Sequence, residues 1–123
     1  MGLQFENIVL NNRREVWRLL DLQVENIVFE NPYFQSKTTK QEGCQIDYLI
    51  QTRYNTLYIC EMKFSDHAIG KDIIGEMEKK IATLKIPKGF ACLPILIHGG
   101  KVVKSVIESR YFAKIINIMD CFN

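Results

Sequence analysis

The sequence predicts a mixed α/β domain in which helices flank one central sheet. Segments with apolar residues at helical spacing alternate with short apolar segments that are rich in β-branched and aromatic residues. Their order is α-β-β-β-α-β-α-β, and a helix between two strands is typical of a parallel connection. The chain has 123 residues, of which 47% are hydrophobic and 24% charged. This composition predicts a single domain, residues 1–123, with a substantial core.

The first half of the chain predicts one helix and three strands. Apolar residues at helical spacing predict a helix over residues 3–20, with an irregularity where two asparagines adjoin. Residues 24–34 predict a strand, which Pro32 weakens because proline cannot donate a hydrogen bond to a sheet. After a polar loop at 36–43, two apolar segments separated by a short polar turn predict a hairpin. Its strands are predicted at residues 44–51 and 56–64.

The second half predicts two helices, each followed by a strand. A helix over residues 73–84 ends before Pro87, because the residue before a proline disfavours helical geometry. The remaining elements are a buried strand at 90–100, a short helix at 102–111 and a last strand at 112–118. The last two strands are predicted to be parallel through a right-handed crossover. Together with the hairpin, this unit predicts a mixed sheet.

The length of the hairpin loop decides which side chains share a face. A three-residue loop, residues 53–55, suits a type I turn followed by a left-handed residue, and Asn55 is a residue type that tolerates that conformation. This loop would place Asp47 opposite Glu61 on one face of the hairpin. A two-residue loop would shift the register and put the two carboxylates on opposite faces.

Two opposed carboxylates on a mostly apolar face predict a bound cation. Like charges at opposed positions destabilise a sheet, and at about 4 Å and an effective dielectric constant of about 20 the repulsion is on the order of 4 kcal/mol. Lys63, two residues beyond Glu61 on the same face, supplies one positive charge. The remaining negative charge predicts a site for Mg²⁺ or Mn²⁺, which proteins hold with one or two carboxylates and water. The alternative is a salt-bridge cluster at the end of the strand.

Asp47 on one strand and Glu61-Met62-Lys63 on the next resemble the motif of the PD-(D/E)xK phosphodiesterase superfamily, which includes restriction endonucleases and junction resolvases. The stretch GCQIDYLIQTRYNTLYICEMKFSD is also similar to a nuclease-like domain at the C-terminal end of certain prokaryotic AAA-type ATPases. The resemblance spans nearly the whole chain and implies a restriction-endonuclease-like core, α-β-β-β-α-β, extended by a C-terminal helix and strand. Ile46 stands where the name of the superfamily has proline. The sequence has no ATPase portion, so the resemblance implies an excised domain or a free-standing relative.

The resemblance assigns roles to the motif residues. Asp47 and Glu61 are implied as metal ligands, and Met62 is implied to offer its backbone carbonyl as a third. Lys63 is implied to orient or activate the attacking water and to stabilise the charge that develops on the phosphate. A metal-dependent nuclease site at the end of the hairpin is therefore expected.

Three residues outside the hairpin are assigned more loosely by the same resemblance. Glu6 resembles the acid of the first helix that often completes the outer shell of the metal. Lys79 or Lys80 on the second helix is implied to contact the scissile phosphate. The alternative for all three is a solvated helix face, where charge runs usually lie.

Two functions are compatible with these residues. The first is a divalent-metal-dependent DNA phosphodiesterase of the endonuclease type. The second is a catalytically silent nuclease-like domain that serves as a DNA-binding or regulatory module of an AAA-type ATPase. A small single domain offers little DNA-binding surface, so a homodimer or an ATPase partner is expected to contribute to either function.

The remaining composition points to a cytoplasmic protein. The four cysteines show no paired CxxC spacing and three lie in apolar segments, which predicts reduced core residues rather than a zinc site. No stretch is long and apolar enough to span a membrane, and no signal peptide opens the sequence. The net charge of +2 permits a polyanionic partner without requiring one.

Overall fold

A computed structural model describes residues 2–122 of the chain, which form one five-stranded sheet with helices packed on its two faces. The strands lie in the order β1-β2-β3-β4-β5. The strands are β1 (Ile27–Gln35), β2 (Cys44–Thr52), β3 (Thr56–Phe64), β4 (Ala91–Gly99) and β5 (Lys114–Asn117). The helices are α1 (Gly2–Asn11), α2 (Arg13–Leu19), α3 (Asp72–Thr83) and α4 (Lys104–Ser109), with short 3₁₀ turns at Val24–Asn26 and Ile118–Phe122.

The sheet is mixed, as the order of elements predicted. β1 and β2, and then β2 and β3, pair antiparallel, whereas β3 with β4 and β4 with β5 pair parallel. α3 connects the first parallel pair and α4 the second, because parallel neighbours need a crossover. No helix within residues 2–122 is both long and apolar enough to cross a membrane.

The hairpin between β2 and β3 has the predicted three-residue loop. Asn55 has a φ of 54°, which is the left-handed conformation that ends this kind of turn. The strands then pair in the predicted register, with Thr52 opposite Thr56 and Leu49 opposite Ile59. Within the paired part of the hairpin, Leu49 and Gln51 of β2 therefore share one face with Leu57 and Ile59 of β3.

The two faces of β3 pack against different helices. Cys60 and Met62 belong to a core that includes Phe5 and Val9 of α1. Leu57 and Ile59 belong to a second core, which includes buried residues of α3. Since side chains alternate along a strand, Glu61 and Lys63 point to the same side as α3.

A buried hydrogen-bond network joins α2 to the sheet next to Asp47. The hydroxyl of Tyr48, which is fully buried, accepts a bond from Trp17 Nε1 at 2.9 Å and donates to Glu30 Oε1 at 2.7 Å. Arg13 Nη1 donates to both oxygens of Glu30, at 2.8 and 2.9 Å. Each polar group in the network has a partner, so the network fixes β2 immediately beside the candidate site.

The predicted elements differ from the observed ones mainly at their ends. The predicted first helix is two helices, because the chain turns at Asn12, whose side-chain amide donates to the carbonyl of Ile8 at 2.8 Å. β1 begins three residues later than predicted, after the 3₁₀ turn. Its pairing with β2 shifts register twice, with an extra residue of β1 between Ile27 and Phe29 and an extra residue of β2 between Ile46 and Leu49. The last strand is shorter than predicted and ends in the second 3₁₀ turn. None of the four cysteines is in a disulfide.

Candidate functional site

The candidate site lies where the pairing of β2 and β3 ends. The last paired residues are Tyr48 and Cys60, and Asp47 and Glu61 are the next residues of the two strands beyond that pair. The side chain of Asp47 replaces a backbone acceptor there, because its Oδ2 accepts a bond from the N–H of Met62 at 2.8 Å. The two strands therefore open at the point where the sequence places its two acids.

Glu61 is a buried carboxylate beside a second one. Only 8% of the residue is exposed. Burial raises the pKa of Glu61 above its usual value, the negative charge of Asp47 raises it further, and the bond from Lys80 acts in the opposite direction. The charge of Asp47 therefore acts on Glu61 and disfavours its ionised form.

Lys80 of α3 supplies the positive charge that contacts Glu61. Its Nζ lies 2.7 Å from Glu61 Oε1, in an ion pair whose side chains are only 28% and 10% exposed. Burial acts to lower the pKa of Lys80, but the bond to Glu61 and the charges of Glu61, Asp47 and Glu76 outweigh it and raise the pKa. The sequence analysis assigned either Lys79 or Lys80 to a contact with the scissile phosphate. In the structure, Lys80 instead pairs with an acid of the site.

The two neighbouring lysines of α3 lie on different faces of the helix. Lys79 is exposed. Lys80 is half-buried, three residues after Met77 and four before Leu84, both of which are buried. This spacing is the spacing of one helix face, so the apolar pattern of α3 contains a signal that favours Lys80 over Lys79.

Lys63 lies on the same side of β3 as Glu61 but makes a different set of contacts. It is half-buried and lines a surface depression of about 210 Å³ with Asp72, Glu76 and the loop that precedes α3. Lys63 takes part in no ion pair among residues 2–122. Its ammonium group therefore forms an ion pair with neither Asp47 nor Glu61.

Glu6 and Met62 complete the surroundings of Asp47. Burial raises the pKa of Glu6, the charge of Asp47 raises it further, and Lys80 lowers it, which places Glu6 near both residues. The N–H of Met62 points toward Asp47. The N–H and C=O of one strand residue point to the same side, so the Met62 carbonyl is directed to the opening between the strands as well.

The donor set suits a hard divalent ion held by few protein ligands. No group of three His, Cys, Asp or Glu side chains suited to a metal ion occurs within the described part of the chain. Mg²⁺ is usually held by one or two carboxylates, with water and substrate phosphate as its other ligands. Asp47, Glu61 and the Met62 carbonyl match that chemistry, and the cation already in contact with Glu61 shows that the position favours positive charge.

A buried histidine beside Lys63 was not among the predicted site residues. His98 of β4 pairs in register with Lys63, and only 6% of it is exposed. Its Nδ1 lies 3.0 Å from the carbonyl oxygen of Gly100, so this nitrogen carries the proton and donates. Burial lowers the pKa of His98, although the bond to Gly100 and the charge of Asp120 partly oppose that effect.

Acid is expected to destabilise the fold in part through His98. Its pKa is lowered from 6.5 in the folded chain, so the stability contributed by the neutral ring is complete above 6.5 and is lost as the pH falls through the folded-state pKa. In His98→Asn an amide replaces Nδ1 and cannot titrate. Urea unfolding across this range should therefore show a steeper loss of stability in the unsubstituted chain than in the variant. An equally steep loss of stability in both proteins would contradict the assignment of this pH dependence to His98.

The fold is shared with solved structures, although no protein-family model and no curated protein sequence matches the chain. A protein of unknown function, AF1548, aligns with a TM-score of 0.58 and 15% identity, over 89% of this chain and 56% of its own. A repair endonuclease from Pyrococcus abyssi aligns with a TM-score of 0.54 and 14% identity, over 90% of this chain and 43% of its own. The chain thus spans about half the length of these proteins. The predicted restriction-endonuclease-like fold is confirmed.

Proposed function

We propose that the chain is a divalent-metal-dependent DNA phosphodiesterase of the PD-(D/E)xK type, with its site at the open end of the β2–β3 hairpin. The observation that carries the proposal is the pair of neighbouring carboxylates, one of them buried, directly beyond the last pair of β2 and β3. Lys80 supplies one positive charge against the two acids, and a divalent ion would neutralise the repulsion that remains. The fold shared with a repair endonuclease supports the same conclusion.

The proposed roles follow from the positions of the side chains. Asp47 and Glu61, with the carbonyl of Met62, would hold Mg²⁺ or Mn²⁺, and Glu6 would act through the shell around the ion. The ion would supply Lewis-acid polarisation of a phosphate oxygen. Lys63, which has no ion-pair partner among the described residues, is free to orient the attacking water and to stabilise charge on the phosphate.

The DNA would approach across the end of α3. Lys80 lies inside the site and Lys79 on the exposed side of the same helix, so both are candidates for contacts to phosphates that flank the reacting one. A single domain of this size buries little surface on DNA. A second copy of the chain, or an AAA-type ATPase as in the proteins it resembles, would enlarge that surface.

A catalytically silent DNA-binding or regulatory module is the second candidate. The observation that favours it is the ion pair between Lys80 and Glu61, because it neutralises the buried acid without a metal. This function predicts DNA binding that depends on salt and not on a divalent ion.

A cleavage assay separates the two candidates. The purified chain is incubated with supercoiled, linear, branched and single-stranded DNA in Mn²⁺, and in parallel with a chelator. We expect strand cleavage with Mn²⁺ and none with the chelator. DNA that is retarded on a gel but remains intact, in every form and with or without an ATPase partner, would favour the silent module.

A further inference from the structure

We infer that Lys80 is an internal cation of the site, and that a divalent ion binds only by displacing its ammonium group from Glu61. The inference rests on the proposed metal site and adds a competition to it. The site would then exist in two states, one closed by Lys80 and one occupied by the ion.

The ion pair and a bound ion compete for the same carboxylate. Lys80 Nζ lies 2.7 Å from Glu61 Oε1, within charge-assisted hydrogen-bond distance. An Mg²⁺ ion binds carboxylate oxygens at about 2.0–2.1 Å, so an ion on Glu61 would lie within a few ångströms of the ammonium group. Two cations at that separation repel strongly in a site that is largely shielded from water.

The position of Lys80 allows the exchange. The lysine side chain is 28% exposed, whereas that of Glu61 is 10% exposed. The ammonium group can therefore swing outward on its flexible stem while Glu61 stays in place on β3. A cavity of about 220 Å³, lined by Lys80, Lys79, Thr83 and residues 43–45, adjoins the lysine and gives it room to move.

Displacement would couple the binding of metal to the binding of phosphate. While Lys80 is paired with Glu61, its charge is not available to DNA. Once released, it remains at the rim of the site and can contact a phosphate oxygen. Metal binding should therefore increase affinity for DNA through Lys80, and the coupling should be reciprocal.

Removing Lys80 must be distinguished from removing any nearby positive charge. Lys63 provides the matched control, because it lies on the same side of β3 as Glu61. It forms no ion pair with any acid among the described residues. Lys79 is a second control, one residue away on α3 and exposed. If only general charge matters, replacing Lys63 should have as large an effect as replacing Lys80.

Titration calorimetry with Mn²⁺ tests the inference on the unsubstituted chain and on Lys80→Met, Lys63→Met and Lys79→Met. We expect the affinity of Lys80→Met for Mn²⁺ to rise about tenfold or more, because the ion no longer breaks a charge-assisted bond. The two controls should change by about threefold or less, because the charge of Lys79 is exposed and screened and Lys63 has no ion pair with Glu61 for the ion to break. Circular dichroism checks that each variant is folded, and Lys80→Gln replaces Lys80→Met if the latter does not fold.

The outcomes separate the failure of the inference from that of the proposed function. An unchanged or lower affinity in a folded Lys80 variant overturns the inference while leaving the metal site in place, and so does an equal rise in Lys63→Met. If neither the unsubstituted chain nor any variant binds Mn²⁺, the proposed function fails together with the inference.

Discussion

Replacing Asp47 with asparagine is expected to abolish DNA cleavage without lowering the stability of the metal-free chain. Asparagine has the same shape and can still accept the bond from the Met62 N–H. It removes the charge that raises the pKa of Glu61 and Glu6, so repulsion within the site falls. It also removes a charged ligand of the proposed ion, and a neutral amide oxygen binds a hard divalent ion more weakly.

Two measurements check this prediction together, namely the rate of strand cleavage in Mn²⁺ and the unfolding midpoint in urea with a chelator present. Asp66→Asn, at an exposed position after β3, is the matched control and should change neither. An Asp47→Asn variant that cuts DNA at the original rate would exclude Asp47 as a ligand. A marked loss of metal-free stability would instead favour a structural salt-bridge cluster.

Replacing Lys63 with alanine is expected to slow cleavage by about 10²-fold or more, the scale of the loss when one electrostatic stabiliser of a transition state is removed. Metal affinity should remain nearly intact, because Lys63 is assigned to the water and the phosphate and not to the ion. Affinity for DNA should fall only by the single phosphate contact that is lost. A lower cleavage rate with nearly unchanged affinity for metal and DNA would identify Lys63 as a residue that acts on the reaction itself.

Single-turnover cleavage, Mn²⁺ titration and a salt series of DNA binding measure the three quantities for Lys63→Ala. Lys88→Ala, in the turn before β4, provides an exposed lysine control that should leave all three unchanged. If metal affinity falls in parallel with the rate, Lys63 acts by shaping the metal site. If the rate does not change, the catalytic lysine lies elsewhere, and Lys80 is then the first candidate.

Local chemistry made the hairpin predictable from the sequence. Asn55 tolerates the left-handed conformation, and the loop length then determines which residues of the two strands are opposed. The shared face of Leu49 and Ile59 follows from that register, and the same count predicts that Asp47 and Glu61 lie on it as well. The mixed sheet follows in the same way from the order of strands and helices.

The partner of Glu61 was not predictable from the same local rules. Which lysine reaches the acid depends on how α3 is rotated against the sheet, and packing of Ile73 and Met77 into the second core sets that rotation. Lys63 is nearer to Glu61 in sequence, yet Lys80 makes the contact from another element. The repulsion between Asp47 and Glu61 is therefore partly offset by the positive charge of Lys80, which belongs to α3 and not to the hairpin.

The end of the β2–β3 ladder also depended on tertiary structure. The sequence predicts the register but not the residue at which pairing stops. In the structure, the Asp47 carboxylate accepts a hydrogen bond from the N–H of Met62 beyond the last pair of β2 and β3. This arrangement distinguishes the proposed metal site from an ordinary strand end. Likewise, the burial of His98 results from neighbours that are distant in sequence.

Titration of Mn²⁺ into the unsubstituted chain and into the double variant Asp47→Asn/Glu61→Gln tests the central claim most directly. The claim is that these two carboxylates together hold the divalent ion. We expect measurable binding by the unsubstituted chain and none by the double variant, with both proteins folded by circular dichroism. Binding of equal strength by the double variant would place the metal elsewhere and contradict the proposed site.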